Sequence, residues 1–322
     1  MRYQLSYKTK QFFFVLIKLS IVVGAFYFIY ERLTNNNTLV FSEFIEFSIK
    51  NNVFSLKNIL FLLFLSIFNW FFEILKWRTL VSAIKKITFK NALAQSLGAL
   101  TASLFTPNRI GEYGAKAIYY SSPFRKRILL INLISNMLQM AVTTLFGVIG
   151  LFFLISNYDI NINYYKLSRV LIIGLTGATL IVFGFGKSRY TIKGFSFQKI
   201  KDFISGFSKQ KLVMSFTCAL IKYLIFSFQF YFLLCVFKVD IDYFNAMYFI
   251  TSMYLLASII PSIFIFDVII RGSVAVYLFS FMGVNELVIL SITTIMWLLN
   301  FVLPGIFGSY YVLNFNLPKN DN

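Results

Sequence analysis

The sequence predicts an all-α integral membrane protein with about six transmembrane helices plus two re-entrant broken-helix hairpins, arranged as an inverted repeat. Three observations lead there: an apolar surplus, long apolar stretches, and landmarks that recur along the chain. Of 322 residues, 58% are hydrophobic and 13% charged, and the mean hydropathy is +0.75. A soluble domain has roughly 45–50% apolar and about 25% charged residues. The 41 phenylalanines therefore need an apolar solvent. A net charge of +18 would suggest nucleic acid in a soluble protein. Here no nucleic-acid partner is expected, because membrane insertion gathers Lys and Arg in cytoplasmic loops. Cys218 and Cys235, the two cysteines, are too few for a disulfide scaffold and read as packing residues. The chain has no histidine, which removes His-based acid–base chemistry and the commonest metal ligand. No cofactor, metal site or catalytic residue is expected.

A hydrocarbon core about 30 Å thick needs roughly 20 apolar residues per helix. Six stretches qualify: Phe12–Tyr30, Asn58–Trp77, Ile128–Ile155, Leu167–Gly186, Leu212–Phe237 and Glu286–Leu313. The first is too long for the apolar core of a signal peptide and lacks a small-residue cleavage site, so it is expected to remain as a helix. Two more apolar stretches run into prolines. Ile87–Phe105 is followed by the polar run Thr106–Lys116, and Ile241–Ile260 by Pro261–Gly272. Each reads as a re-entrant hairpin, with a helix that enters, breaks and leaves as a polar half-helix.

Loop charge orients the chain. With a cytoplasmic N-terminus and non-crossing hairpins, 20 basic residues fall on the cytoplasmic side, Lys76 and Lys116 among them, and 6 on the other. This is the positive-inside asymmetry. It predicts a multi-pass protein of the cell inner (cytoplasmic) membrane with both termini cytoplasmic. Lys18, Arg109, Lys222 and Arg271 complete the 30 basic residues and sit in or beside membrane segments. Lys18, close to its span end, is expected to snorkel. The loop 194–211 interleaves Phe195, Phe197, Ile200, Phe203, Ile204 and Phe207 with lysines. It reads as an amphipathic helix on an anionic leaflet, either as a tether or to recruit lipid.

The repeat rests on Asn91, Ala92 and Pro107, which recur as Asn245, Ala246 and Pro261 at an offset of 154 residues. After each proline an acid precedes a base by four residues: Glu112 with Lys116, and Asp267 with Arg271. The single polytopic domain, 1–322, thus divides into repeat-like halves at about 58–156 and 212–313. Three spans lie between the hairpins, so they would enter from opposite faces. That is how broken helices form a midplane site in many transporters.

Substrate-binding candidates follow from membrane cost. A charge at the bilayer centre costs at least ~2.5–3.5 kcal/mol, so function is the default reading for Arg109, Glu112, Lys116, Asp267, Arg271 and Lys222. Thr106 is a good N-cap and Pro107 pre-sets a first helical turn, where backbone N–H groups and Arg109 suit a phosphate. Gly111 permits a close approach by a head group or a neighbouring helix, and Pro261 breaks the second hairpin. The plainer reading is a capped, salt-bridged helix start at the surface; for Asp267 and Arg271 it is a buried ion pair. Lys222, ~20 Å into its span at 1.5 Å per residue, requires a carboxylate or a lipid phosphate. Asn132, Asn136 and Gln139 form one polar stripe, Lys222 and Gln229 another, and Asn69 with Glu73 a one-turn pair. These, with the isolated Asn300, read chiefly as interhelical hydrogen bonds. Pro304, Gly305 and Gly308 read as close helix packing.

The run Ser103-Leu104-Phe105-Thr106-Pro107-Asn108-Arg109-Ile110-Gly111-Glu112-Tyr113 resembles the proline–arginine–glycine–glutamate signature of the lysylphosphatidylglycerol synthase transmembrane-domain family. The ending Leu299–Gly308 is similar to that family's last span, and the resemblance covers most of the chain from about Asn58. It implies a flippase-like membrane protein that moves a phospholipid or related lipid between leaflets. The aminoacyl-transfer domain of the fused members has no counterpart, and the glycine-rich, glutamate-bearing run expected after Pro261 is absent, Asp267 standing in. Expected partners are membrane lipids with an anionic head group and a separate lipid-modifying synthase. The alternatives are a membrane-embedded enzyme acting on lipid-linked substrates, with Glu112 or Asp267 as base, and a non-catalytic partner of a lipid or polysaccharide synthesis system.

Overall fold

The computed structural model describes residues 15–24, 27, 41–104, 106, 110–158, 202–259 and 264–317. Its regular elements are helical: α1 (Val15–Gly24), α2 (Phe41–Lys50), α3 (Leu56–Val81), α4 (Phe89–Ser103), α5 (Ile110–Ile118), α6 (Ser122–Asn157), α7 (Lys209–Val236), α8 (Tyr243–Ile259), α9 (Phe264–Ser280) and α10 (Glu286–Trp297). A π-helical turn at Leu298–Val302 then joins α10 to α11 (Leu303–Leu313).

Side chains fix the helix starts. Ser55 accepts from the Asn58 N–H, Thr88 from Asn91 and Asn285 from Leu287, each capping an otherwise orphaned donor. Asp242 accepts from the backbone N–H groups of Asn245 and Phe244 at the head of α8, which holds its carboxyl below the usual range. The π turn has a specific cause. Pro304 has no N–H to give the Asn300 carbonyl one helical turn back, and that carbonyl accepts the Trp70 indole at 3.1 Å instead.

Four segments are long and apolar enough to cross a membrane: α3, α6, α7 and the continuous stretch Glu286–Leu313. The first three exceed their expected bounds because flanking polar residues such as Arg125, Lys126 and Lys209 continue the helix beyond its apolar centre. Of the stretch Phe12–Tyr30, the helix α1 is described, whereas Leu167–Gly186 lies outside the described residues. Only 22% of the apolar window of α6 is buried inside the protein. Met137, Leu145, Val148 and Phe152 stand on its open face, which requires lipid as solvent. Glu286–Leu313 is the inner span, 67% buried.

The first predicted helix break occurs, with a turn at Leu104 and a bend at Thr106 between α4 and α5, whereas residues 260–263 between α8 and α9 lie outside the described residues. The outgoing arm of the second pair differs from expectation. It is an apolar helix that continues past Gly272 to Ser280, carried on by Val274, Ala275, Val276 and Leu278. Helix α3 lies against α7, α4 against α11, and α6 against α8. The last two contacts share one device. A side chain on Gly308 would overlap the Leu97 carbonyl and Thr101, and side chains on Gly150 and Gly147 would overlap Thr251 and Leu255. Backbones approach closely through glycine in both places.

Two surface readings change. Lys18 donates to the carbonyls of Leu313 (2.7 Å) and Phe315 (3.1 Å), so it caps the end of α11 rather than simply reaching for water. In the loop 194–211, the part up to 201 lies outside the described residues. Phe207 is buried with Ile74, Trp77, Ile128 and Ile131, and Phe203 packs against the same group. At this end of the loop Phe207 therefore faces the protein core, while Ile204 is exposed.

Candidate functional site

Helices α3, α5 and α7 bring charged side chains together inside the bundle, and α6 adds Asn132. The spacing of Glu112 and Lys116 puts them one turn apart, and their Oε1 and Nζ meet at 2.6 Å with both residues buried. Lys116 also donates to Asn132 Oδ1 at 2.9 Å, and its ammonium sits 4.1 Å from the centre of the Trp77 ring. The ring is held in turn by a 2.9 Å hydrogen bond from its Nε1 to Gln95 Oε1, which Tyr120 also donates to. Lys116 is 1% exposed. It is therefore part of the interior, and the assignment of its charge to a loop is corrected.

Glu73 holds the second half of the cluster. Its Oε2 accepts from Lys76 at 2.9 Å and from Lys222 at 2.5 Å, linking α3 to α7. Lys116 is close enough to act electrostatically on Glu73 as well, so the three ion pairs are neighbours. Among the described residues the cluster contains three lysines and two glutamates. Lys76 was expected in a cytoplasmic loop, but α3 runs to Val81 and buries it at 1% exposure. Lys222 has the carboxylate that its depth demanded. Its side chain is 24% exposed against 2% for Lys76, which makes it the open end of the cluster.

A neutral network continues along the same interior. Asn300 Oδ1 accepts from Asn69, and Asn300 Nδ2 donates to Gln229 Oε1, both at 2.9 Å. Ser66 donates to the Leu299 carbonyl at 2.7 Å, and Gln229 to the Leu62 carbonyl at 3.2 Å. Asn300 is thus a hub rather than an isolated residue, while Asn69 and Glu73 face different partners. Asn136 donates to the Tyr113 hydroxyl at 2.9 Å. Among the described residues, Asn132 Nδ2 and Asn69 Oδ1 are buried without a hydrogen-bond partner, a costly condition in an apolar interior.

The break after α4 is stapled by Thr106. Its hydroxyl donates to the Ser103 carbonyl at 2.9 Å and accepts from the Gly111 N–H at 3.0 Å. Gly111 is required there, because a Cβ would lie 2.5 Å from the Ala102 carbonyl oxygen. The close approach is by the neighbouring helix. Arg109, Pro107, Pro261 and the Asp267 side chain lie outside the described residues. Arg271 stands among aromatic rings, 5.9 Å from the centre of Phe301.

Sequence reasoning left two members of the cluster out of the candidate site. Lys76 was hidden by its position near the end of an apolar stretch, although its three-residue spacing from Glu73 on one helix was visible. Glu73 was seen, but its link to Lys222 spans 149 residues and leaves no local pattern.

The family model described as "Lysylphosphatidylglycerol synthase TM region" matches residues 15–308. No curated protein matches the chain.

Proposed function

Since this chain belongs to the lysylphosphatidylglycerol synthase TM-region family, we propose that it moves a phospholipid or related lipid with an anionic head group between leaflets. The observation that carries this reading is the buried cluster of Glu73, Lys76, Lys222, Glu112 and Lys116 between the spans. Such a group is costly in a bilayer and is seldom kept without a polar passenger. A lipid phosphate enters at Lys222, competes with Glu73 for that ammonium, and is passed toward Lys116 and Arg109. Its acyl tails stay in the bilayer. Asn132 Nδ2 offers a further donor on this path. Glu112, Glu73 and Asp267 balance the lysines and Arg271 when no lipid is bound.

Alternating access of an inverted repeat is the proposed motion, and the helix register supports it. Tyr243 follows Phe89, and Phe264 follows Ile110, each by 154 residues, at the starts of the paired arms. Thr251 and Leu255, which meet the glycines of α6, follow Leu97 and Thr101 by the same 154 residues, and those two meet a glycine of α11. The contacts of α4 with α11 and of α8 with α6 are those a pseudo-two-fold would exchange.

Proteoliposomes carrying a fluorescent phosphatidylglycerol test the reading. Transbilayer movement should be protein-dependent and fall at least ten-fold in Lys222→Met. Equal movement in this variant and in the parent chain would sink it. A covalently altered lipid in the same vesicles would favour the enzyme alternative.

A further inference from the structure

Beside the ion pairs, one buried aromatic ring is held by more polar contacts than packing requires. Trp77 of α3 is fully buried. Its Nε1 donates to Gln95 Oε1 of α4 at 2.9 Å, and the hydroxyl of Tyr120, just beyond α5, donates to the same oxygen at 2.8 Å. A carbonyl oxygen has two lone pairs, so Gln95 Oε1 is saturated and the indole is fixed at its edge. A phenylalanine would fill this core of Ile74, Leu80, Ile128 and Ile131 without the need to bury an amide. The fixed ring presents its face to the Lys116 ammonium, 4.1 Å from the ring centre.

Lys116 therefore has three neighbours of different chemistry. Of the three donors on its ammonium, one goes to Glu112 at 2.6 Å and one to Asn132 at 2.9 Å, and the ring stands beside them. A phosphate that reaches Lys116 must take over the donor held by Glu112. During that exchange a buried charge loses its ion-pair partner, which is costly. The ring attracts the ammonium through its quadrupole and competes for no oxygen position. We propose that Trp77 is a positioning residue for head-group binding: its face, set by Gln95 and Tyr120, holds the Lys116 ammonium while a phosphate oxygen replaces the Glu112 carboxylate. This rests on the reading that the cluster receives a lipid phosphate. A ring that only packs would serve equally well with its electron density withdrawn.

The full chain, purified in detergent, is titrated calorimetrically with dihexanoylphosphatidylglycerol. Position 77 carries tryptophan or, by site-specific incorporation, its mono-, di- or trifluoro analogue. Fluorine draws electron density from the ring face and nearly preserves its shape. Affinity is expected to fall stepwise, by about three- to ten-fold across the series, with Trp77→Leu at or beyond its end. Affinity that does not change with fluorine number overturns the proposal, whatever happens to the unfolding temperature of the same chains. Absence of saturable binding to the parent chain overturns it as well. Translocation is measured on the same preparations after reconstitution. Graded binding with no protein-dependent movement between leaflets breaks the translocation reading and leaves the positioning role standing. Movement with fluorine-independent affinity does the reverse.

Discussion

The two broken-helix pairs start from similar sequence cues and build different interiors. In the first, the outgoing arm α5 delivers Glu112 and Lys116 into a group with Asn132 and Trp77, alongside Glu73, Lys76 and Lys222. In the second, the outgoing arm α9 delivers Arg271 to a cavity of phenylalanine, tryptophan and tyrosine. The acid–base spacing of four is common to both, yet the neighbours differ. The first arm faces α6 with its asparagines, and the second faces α10, whose buried positions are mainly isoleucine, valine, threonine and methionine. The two outgoing arms thus lead to a dense ion cluster in one place and an arginine in an aromatic setting in the other. What an arm does with its charge is decided by the helix it meets.

That contrast can be broken at several points. The largest effect is expected for Glu73→Gln, which leaves Lys76 and Lys222 without their shared carboxylate. Removing one partner of a buried ion pair costs about 3–5 kcal/mol. Thermal unfolding in detergent should show a loss of that order. A change within the scatter of the parent chain would mean that the cluster is solvated.

The shared packing of the halves is tested by Gly150→Ala and Gly308→Ala. Each added methyl meets backbone or a neighbouring side chain at the matched contacts, α6 with α8 and α4 with α11. Overpacking of this kind costs about 1–3 kcal/mol, and the two losses should be similar. A large loss in one variant and none in the other would show that the halves are packed independently.

The smallest effect belongs to the neutral hub. Asn300→Ala removes hydrogen bonds to Asn69 and Gln229, and interhelical hydrogen bonds in membrane proteins average ~0.6 kcal/mol with a maximum near ~1.7. A loss inside that range, measured by denaturation in mixed micelles, is expected. A loss as large as that of Glu73→Gln would make the neutral network, and not the ion cluster, the main polar fastening of the bundle.

Much of this was legible in local sequence. Four apolar stretches became long helices, the break after α4 occurred, and Thr106 and Gly111 hold it together. The pairing of Glu112 with Lys116 follows from helical spacing alone. Hydropathy misassigned Lys76 and Lys116, since it cannot distinguish a lysine at a helix end in water from one folded inward. It likewise could not foresee that Phe207 packs into the protein, since apolar residues beside lysines fit protein and bilayer equally well.

By itself, the sequence determined a polytopic helical membrane protein, because apolar length, helix caps and prolines act within a few turns of chain. Only the tertiary structure decided which polar groups meet. Glu73 finds Lys222 across 149 residues, Lys116 finds Asn132 on the next long helix, and Asn300 finds Asn69 and Gln229. In an apolar interior each such group must find a partner from whichever helix is adjacent. Adjacency is fixed by the packing of the whole bundle, including glycine contacts such as Gly308 on Leu97, and not by the pattern of any one segment.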